Sequence, residues 1–335
     1  MAKAEQIIEL LKSHISGDER RFYAIAMQVA AHEAQQGHEK LAQELKRLVD
    51  KAKEKRTVLT APVSSVVNIS HPKGELANLL AVDYPEVRFS QLTFSSTIKE
   101  RLDRIILEQR QNRALAEYGL RPRRKILFYG PPGTGKTITA AALAGELSLP
   151  LFTIRLDGLI TKYMGETAGK LRLVFDAIKS TRAVYFFDEF DAIGGDRALG
   201  NDVGEMRRIL NSFLQFMEQD HSESLILAAT NHVKLLDNAL FRRFDDVIEY
   251  SLPDREQIDQ IIQNKLHNFA LGKISWQKIE TASKGLSHAE ITRACIEAAK
   301  QSILTDQGSI SEELLLDAIS ERKHNSEISN PKSAP

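Results

Sequence analysis

Apolar positions over the first 55 residues recur at helical spacing: Ile7, Ile8, Leu11 and Ile15, then Phe22, Ile25 and Val29, then Leu41, Leu45 and Leu48. Ser16 and Glu19 have capping-box spacing, and Gly37 stands where a helix would stop. The pattern predicts a bundle of two or three helices over residues 1–55. Such a module either solubilises or oligomerises the chain, or docks partners. From Arg56 to Gln91 the period disappears, and Pro62, Pro72, Gly74 and Pro85 punctuate a serine-rich stretch. Residues 56–91 therefore read as a linker.

From Leu92 the pattern becomes strand–helix alternation. β-rich runs occupy residues 125–129, 151–155, 183–187, 225–229 and 246–250, with helical stretches between them, such as Leu171, Val174, Phe175 and Ile178 on one face. Apolar runs of this kind suit strands covered on both sides. Residues 92–252 thus predict an α/β unit, a parallel sheet with helices on both faces. After Pro253 the strand pattern stops. Three helical segments predict a C-terminal α-helical lid over 253–323, two of them opened by capping-box spacings at Ser287/Glu290 and Ser309/Glu312. Residues 324–335 are polar and predict a disordered tail.

Composition narrows the classes. Lys+Arg and Asp+Glu both number 45 in 335 residues, so the basic excess that grips nucleic-acid phosphates is missing. The single cysteine, Cys295, excludes an intrachain disulfide and a multi-cysteine zinc site. Residues 1–9 lack a long apolar stretch, and the apolar runs are too short to span a bilayer. The chain reads as soluble and cytoplasmic, with no membrane partner.

The strongest chemical signal is Gly130-Pro131-Pro132-Gly133-Thr134-Gly135-Lys136-Thr137, between a predicted strand and a predicted helix. Glycines let successive backbone N–H groups converge on phosphate oxygens, and the helix N-terminus adds its dipole. Lys136 is placed to neutralise the β- and γ-phosphates of ATP, and Thr137 to ligate Mg²⁺. By composition alone the bare pattern arises in roughly one chain in a hundred of this length, and the strand–loop–helix setting makes coincidence rarer still. About 50 residues later, Val184-Tyr185-Phe186-Phe187-Asp188-Glu189 delivers two carboxylates from the end of a buried strand. Asp188 is read as holding the Mg²⁺ through water, and Glu189 as polarising the attacking water. A zinc-protease helix is excluded because His32-Glu33 has no second histidine at the required spacing, and no G-x-S-x-G elbow occurs.

From Leu92 to Lys323 these motifs resemble, in order, the AAA ATPases of the AAA+ superfamily. The resemblance implies a P-loop, RecA-like sheet, ATP hydrolysis with Mg²⁺, and a ring, usually a hexamer, acting on protein. Ala228-Ala229-Thr230-Asn231 resembles the polar sensor, with Asn231 orienting the lytic water. The segment from Leu236 to Asp245 resembles the one carrying arginine fingers, with Arg242 and Arg243 reaching the neighbouring subunit's ATP. A guanidinium beside the γ-phosphoryl oxygens accelerates hydrolysis by roughly 10³–10⁵. The plain alternative is a surface pair bonded to Asp245 and Asp246.

Lys162-Tyr163-Met164-Gly165-Glu166 resembles the aromatic pore loop that grips an extended polypeptide, and residues 195–204 a second one. A tyrosine buried at a loop–helix junction is the alternative for Tyr163. Two departures stand out. His288 occupies a position near the adenine where a glycine is usual, and no arginine fills that stretch, Arg293 lying a turn later. The compact layout resembles bacterial AAA ATPases encoded beside subtilisin-like serine proteases in phage defence, which implies a protease partner in trans. The alternative function is a nucleic-acid-associated ATPase, such as a transposition regulator or helicase loader. A third is an activase that remodels one metabolic enzyme.

Overall fold

The computed structural model describes residues 74–159, 164–191, 203–233, 238–305 and 308–329, with Pro72, Leu236 and residues 25–27, 29, 30, 38, 43, 44 and 47. The chain divides into two compact units, Met1–Ser70 and His71–Pro335. In the first, the described residues 25–27, 29, 30, 43, 44 and 47 are helical, and Ile25 and Val29 are buried. Ser16, Glu19 and Gly37 lie outside the described residues, as do Lys162, Tyr163 and most of the second loop segment.

The second unit opens with α1 (Leu76–Leu79) and β1 (Leu80–Asp83), followed by α2 (Ser96–Arg110) and α3 (Asn112–Glu117). The sheet continues through β2 (Lys125–Tyr129), α4 (Lys136–Leu147), β3 (Leu151–Ile154), α5 (Leu156–Leu159), α6 (Met164–Ser180) and β4 (Val184–Phe187). Then come α7 (Val203–Gln219), β5 (Leu225–Thr230), α8 (Asn238–Phe241) and β6 (Asp246–Glu249). The strand order is β1-β3-β4-β5-β2-β6, with β1 antiparallel to β3 and the remaining pairs parallel.

Every residue of β4 and β5 is buried, and successive side chains feed opposite cores. Val184 and Phe186 join Ile126, Phe128, Leu143 and Leu227 beneath α2 and α4. Tyr185 and Phe187 join Phe175, Phe213, Met217 and Ile226 beneath α6 and α7. There Phe187 and Phe213 meet edge to face, their centroids 5.2 Å apart. Each fully buried aromatic of this kind contributes about 1.5–3 kcal/mol, so the sheet is covered on both sides as the apolar runs require. Leu171, Val174, Phe175 and Ile178 are all buried on one face of α6, in accord with their spacing.

The structure corrects the sequence reading at the edges. Residues 76–83, read as part of the linker, supply α1 and the antiparallel edge strand β1. Among the described residues four C-terminal helices form rather than three: α9 (Arg255–Leu266), α10 (Trp276–Ser283), α11 (His288–Leu304) and α12 (Glu312–Ser329). The strands do not stop at Pro253 either, because β7 (Ala270–Leu271) and β8 (Ser309–Ile310) form a short parallel pair. Ser287 and Glu290 do make a capping box, whereas Ser309 lies in β8 and the cap of α12 is Ser311, whose Oγ accepts the Leu314 N–H at 3.2 Å. Glu312 instead accepts the N–H of Ser275 at the head of α10, 2.5 Å away. Residues 324–329, read as tail, continue α12. Among the described residues no helix is long and apolar enough to cross a membrane.

Candidate active site

Parallel strands leave their C-terminal ends on one edge of the sheet, and register sets which loops meet there. Tyr129 is the register partner of Thr230, so Gly130 and Asn231 leave the sheet side by side. Phe187 pairs with Ala228, which brings Asp188 and Glu189 out next to them. A cavity of about 520 Å³ opens at this edge. Its floor holds residues 132–139, Asp188, Glu189 and Asn231, one wall is residues 91–94, and α9 and α11 form the other.

The phosphate loop is built as its glycines predict. Gly130 (φ 145°), Gly133 (φ 75°) and Gly135 (φ 102°) take left-handed backbone that side chains resist. A Cβ on Gly130 would meet the Tyr250 carbonyl oxygen at 2.0 Å. One on Gly133 would meet Ser287 Oγ at 2.5 Å, because the lid packs directly on the loop. The Ala289 N–H at the head of α11 donates to the Gly133 carbonyl at 3.0 Å. Thr134 Oγ1 closes the turn onto the Pro131 carbonyl at 2.8 Å.

Lys136 is buried and donates to the Gly130 and Pro131 carbonyls, both at 2.8 Å. Loss of hydration lowers its pKa to about 8, against the opposing pull of Asp188 and Asp191. Thr137 Oγ1 donates to Asp188 Oδ2 at 2.8 Å, so hydroxyl and carboxylate stand side by side below the loop. Glu189 is exposed and takes φ 49°, a left-handed conformation uncommon for a residue with a side chain. Its N–H donates to Asp188 Oδ1 at 2.9 Å.

The arginine pair lies away from this cleft. Arg243 forms an ion pair with Glu218 of α7, and Arg242 is exposed. Asp245 and Asp246 are engaged elsewhere. Asp245 accepts the N–H groups of Arg124 and Lys125, and Asp246 pairs with Arg101 and Arg123. Met164 and Gly165 open α6.

Residues 126–252 match the family model described as ATPase family associated with various cellular activities (AAA). Over 312 residues the chain is 34% identical to the protein named uncharacterized AAA family ATPase y4kL of Sinorhizobium fredii, with 93% of each chain covered. The chain belongs to the AAA family of ATPases. It is also 34% identical over 233 residues to ATP-dependent zinc metalloprotease FtsH 3 of Sphaerobacter thermophilus, covering 68% of this chain and 48% of that one. With the proteasome-activating nucleotidase of Methanoregula boonei it shares 32% identity over 247 residues, 71% of this chain and 57% of the relative. The chain thus spans about half the length of these two.

For an AAA ATPase, the cleft walls are where sequence reasoning fell short. Arg293, left without a role by its position in the sequence, lines the cleft together with Lys265 of α9. His288 lines it too, and burial holds its imidazole below the usual value despite the opposing pull of Asp254. Its Nδ1 has no hydrogen-bond partner among the described residues. The wall at residues 91–94 straddles the predicted linker boundary. The resemblance already points to His288, but no local motif marks Lys265, Arg293 or residues 91–94, because distant segments converge to make one surface.

Proposed function

We propose that the chain hydrolyses ATP in this cleft and, as a ring of identical subunits, uses the hydrolysis to pull on a protein. The observation that carries the first half is the meeting of Lys136, the Thr137–Asp188 pair, Glu189 and Asn231 at one edge of one sheet. Lys136 would exchange the Gly130 and Pro131 carbonyls for β- and γ-phosphate oxygens, while the loop amides and the head of α4 take up remaining charge. A hydroxyl and a carboxylate 2.8 Å apart are hard oxygen donors, so Thr137 and Asp188 fit Mg²⁺, directly or through water. When bound, that ion neutralises charge on the phosphates. Glu189 polarises the attacking water and Asn231 orients it. Arg293 presents a cation from the lid side.

Arg242, exposed and outside the lining of the cleft, is the guanidinium we assign to the neighbouring subunit's ATP. The ion pair of Arg243 with Glu218 fixes the segment that carries it. A protein cargo is supported by likeness to relatives named as a proteasome-activating nucleotidase and ATP-dependent zinc metalloproteases. The sequence around Tyr163 supports it as well. Residues 1–55 then act as a docking module. The narrower reading, a motor that supplies a subtilisin-like serine protease in trans, rests on the overall layout.

Tyr163→Ala tests the cargo reading. It should keep the wild-type ATPase rate and lose ATP-dependent unfolding of a fluorescent protein substrate. Wild-type unfolding by Tyr163→Ala would remove the loop from the mechanism.

A further inference from the structure

Thr230 closes β5 and is 1% exposed, yet three of the segments that meet at the cleft bond to it. Its Oγ1–H donates to Asp191 Oδ1 at 3.0 Å, two residues beyond Glu189. The same oxygen accepts the His232 N–H at 3.0 Å, which turns the chain sharply around Asn231. Its carbonyl accepts the N–H of Gly130, the first residue of the phosphate loop, at 3.3 Å. One residue earlier, the Ala229 carbonyl accepts the Phe190 N–H at 2.8 Å. The turn carrying Glu189 is therefore fastened to β5 at Phe190 and again at Asp191, and Asn231 is held between Thr230 and His232.

We propose that Thr230 and Asp191 form a positioning pair that fixes Asn231 and Glu189 relative to each other and to the phosphate loop. The proposal rests on the ATPase reading above and deepens it. The physical case is one of satisfaction and reach. A buried hydroxyl with both donor and acceptor capacity used has one orientation, and so do the segments bonded to it. Water attack demands that Glu189 and Asn231 share one water molecule. A displacement of about 1 Å in such a constellation costs roughly 100-fold in rate. Phosphate binding needs no such mutual alignment, because the loop amides, Lys136 and Thr137 do not contact the Thr230 hydroxyl. The pair should therefore govern turnover rather than affinity. Asp191 also favours the charged form of Lys136, so variants of Thr230 separate the two effects more cleanly.

The test compares Thr230→Val, which keeps the shape and removes the hydroxyl, with Thr230→Ser, which restores it. Steady-state ATP hydrolysis and equilibrium binding of ATP to the full chain are measured for both. Thr230→Val should bind ATP as the wild type does and lose roughly 10- to 100-fold in kcat, and Thr230→Ser should recover most of the loss. Wild-type kcat in Thr230→Val would overturn the proposal. So would a raised KM at unchanged kcat, or a Thr230→Ser variant no better than the valine. If Thr230→Val fails to fold, Asp191→Asn against Asp191→Ala decides, since the amide oxygen still accepts the bond. An active Asn beside an inactive Ala supports the pair, and equal rates overturn it. A wild-type chain that does not hydrolyse ATP overturns the ATPase reading itself, which is a different result from an active wild type beside an equally active valine variant.

Discussion

Lys136 is 7% exposed, and its ammonium is held by two carbonyls rather than by water. Burial lowers its pKa to about 8, while Asp188 and Asp191 push the other way. Because the folded value lies below the ordinary 10.5, the charged lysine costs folding stability below about pH 8, and that cost fades as pH rises toward 10.5. A bound phosphate reverses the preference by supplying negative charge. Above pH 8, ATP binding should therefore take up a proton, and affinity should fall as pH rises through that value. Calorimetry in buffers of different ionisation enthalpy reads the proton directly. Equal heats across buffers above pH 8 would mean that the lysine stays charged without nucleotide. At this scale the phosphate loop and the Asp188-Glu189 pair were legible, because their chemistry sits in consecutive residues. Thr230, Asp191 and Arg293 were not, since each acts across chain separations that no local pattern encodes.

At the scale of elements, the C-terminal helices meet the α/β unit at the head of α11. Ser287 and Glu290 cap that helix reciprocally, and the Ala289 N–H bonds the Gly133 carbonyl. Removing the cap with Ser287→Ala should cost about 1 kcal/mol and lower the thermal midpoint of unfolding. An unchanged midpoint would mean that the cap adds nothing to the lid. The five parallel strands were readable because burial forces apolar runs, complete in β4 and β5 and interrupted in the other three, and periodicity found α6 for the same reason. Strand β1 escaped because it is a short edge strand, with only Leu80 of its four residues buried. The cap of α12 was misplaced because spacing alone cannot distinguish Ser309, committed to β8, from Ser311. Glu312 completes the other half of that false pattern while capping α10 instead.

The whole molecule presents its nucleotide cleft and its exposed Arg242 as separate features of one chain. A chain that carries a site in one place and the group completing a neighbour's site in another associates through heterologous contacts, which form a ring where the rotation between subunits closes. That is the central claim: the ATPase site is shared between subunits. It is tested by mixing two inactive variants. Glu189→Gln lacks the group that polarises water but keeps Arg242, and Arg242→Ala has the opposite defect. In a random mixture roughly one interface in four joins an intact Glu189 to an intact Arg242 across the contact. The account predicts that each variant alone is inactive and that the mixture hydrolyses ATP. A mixture that stays inactive, with mixed oligomers seen by native mass spectrometry, would contradict it.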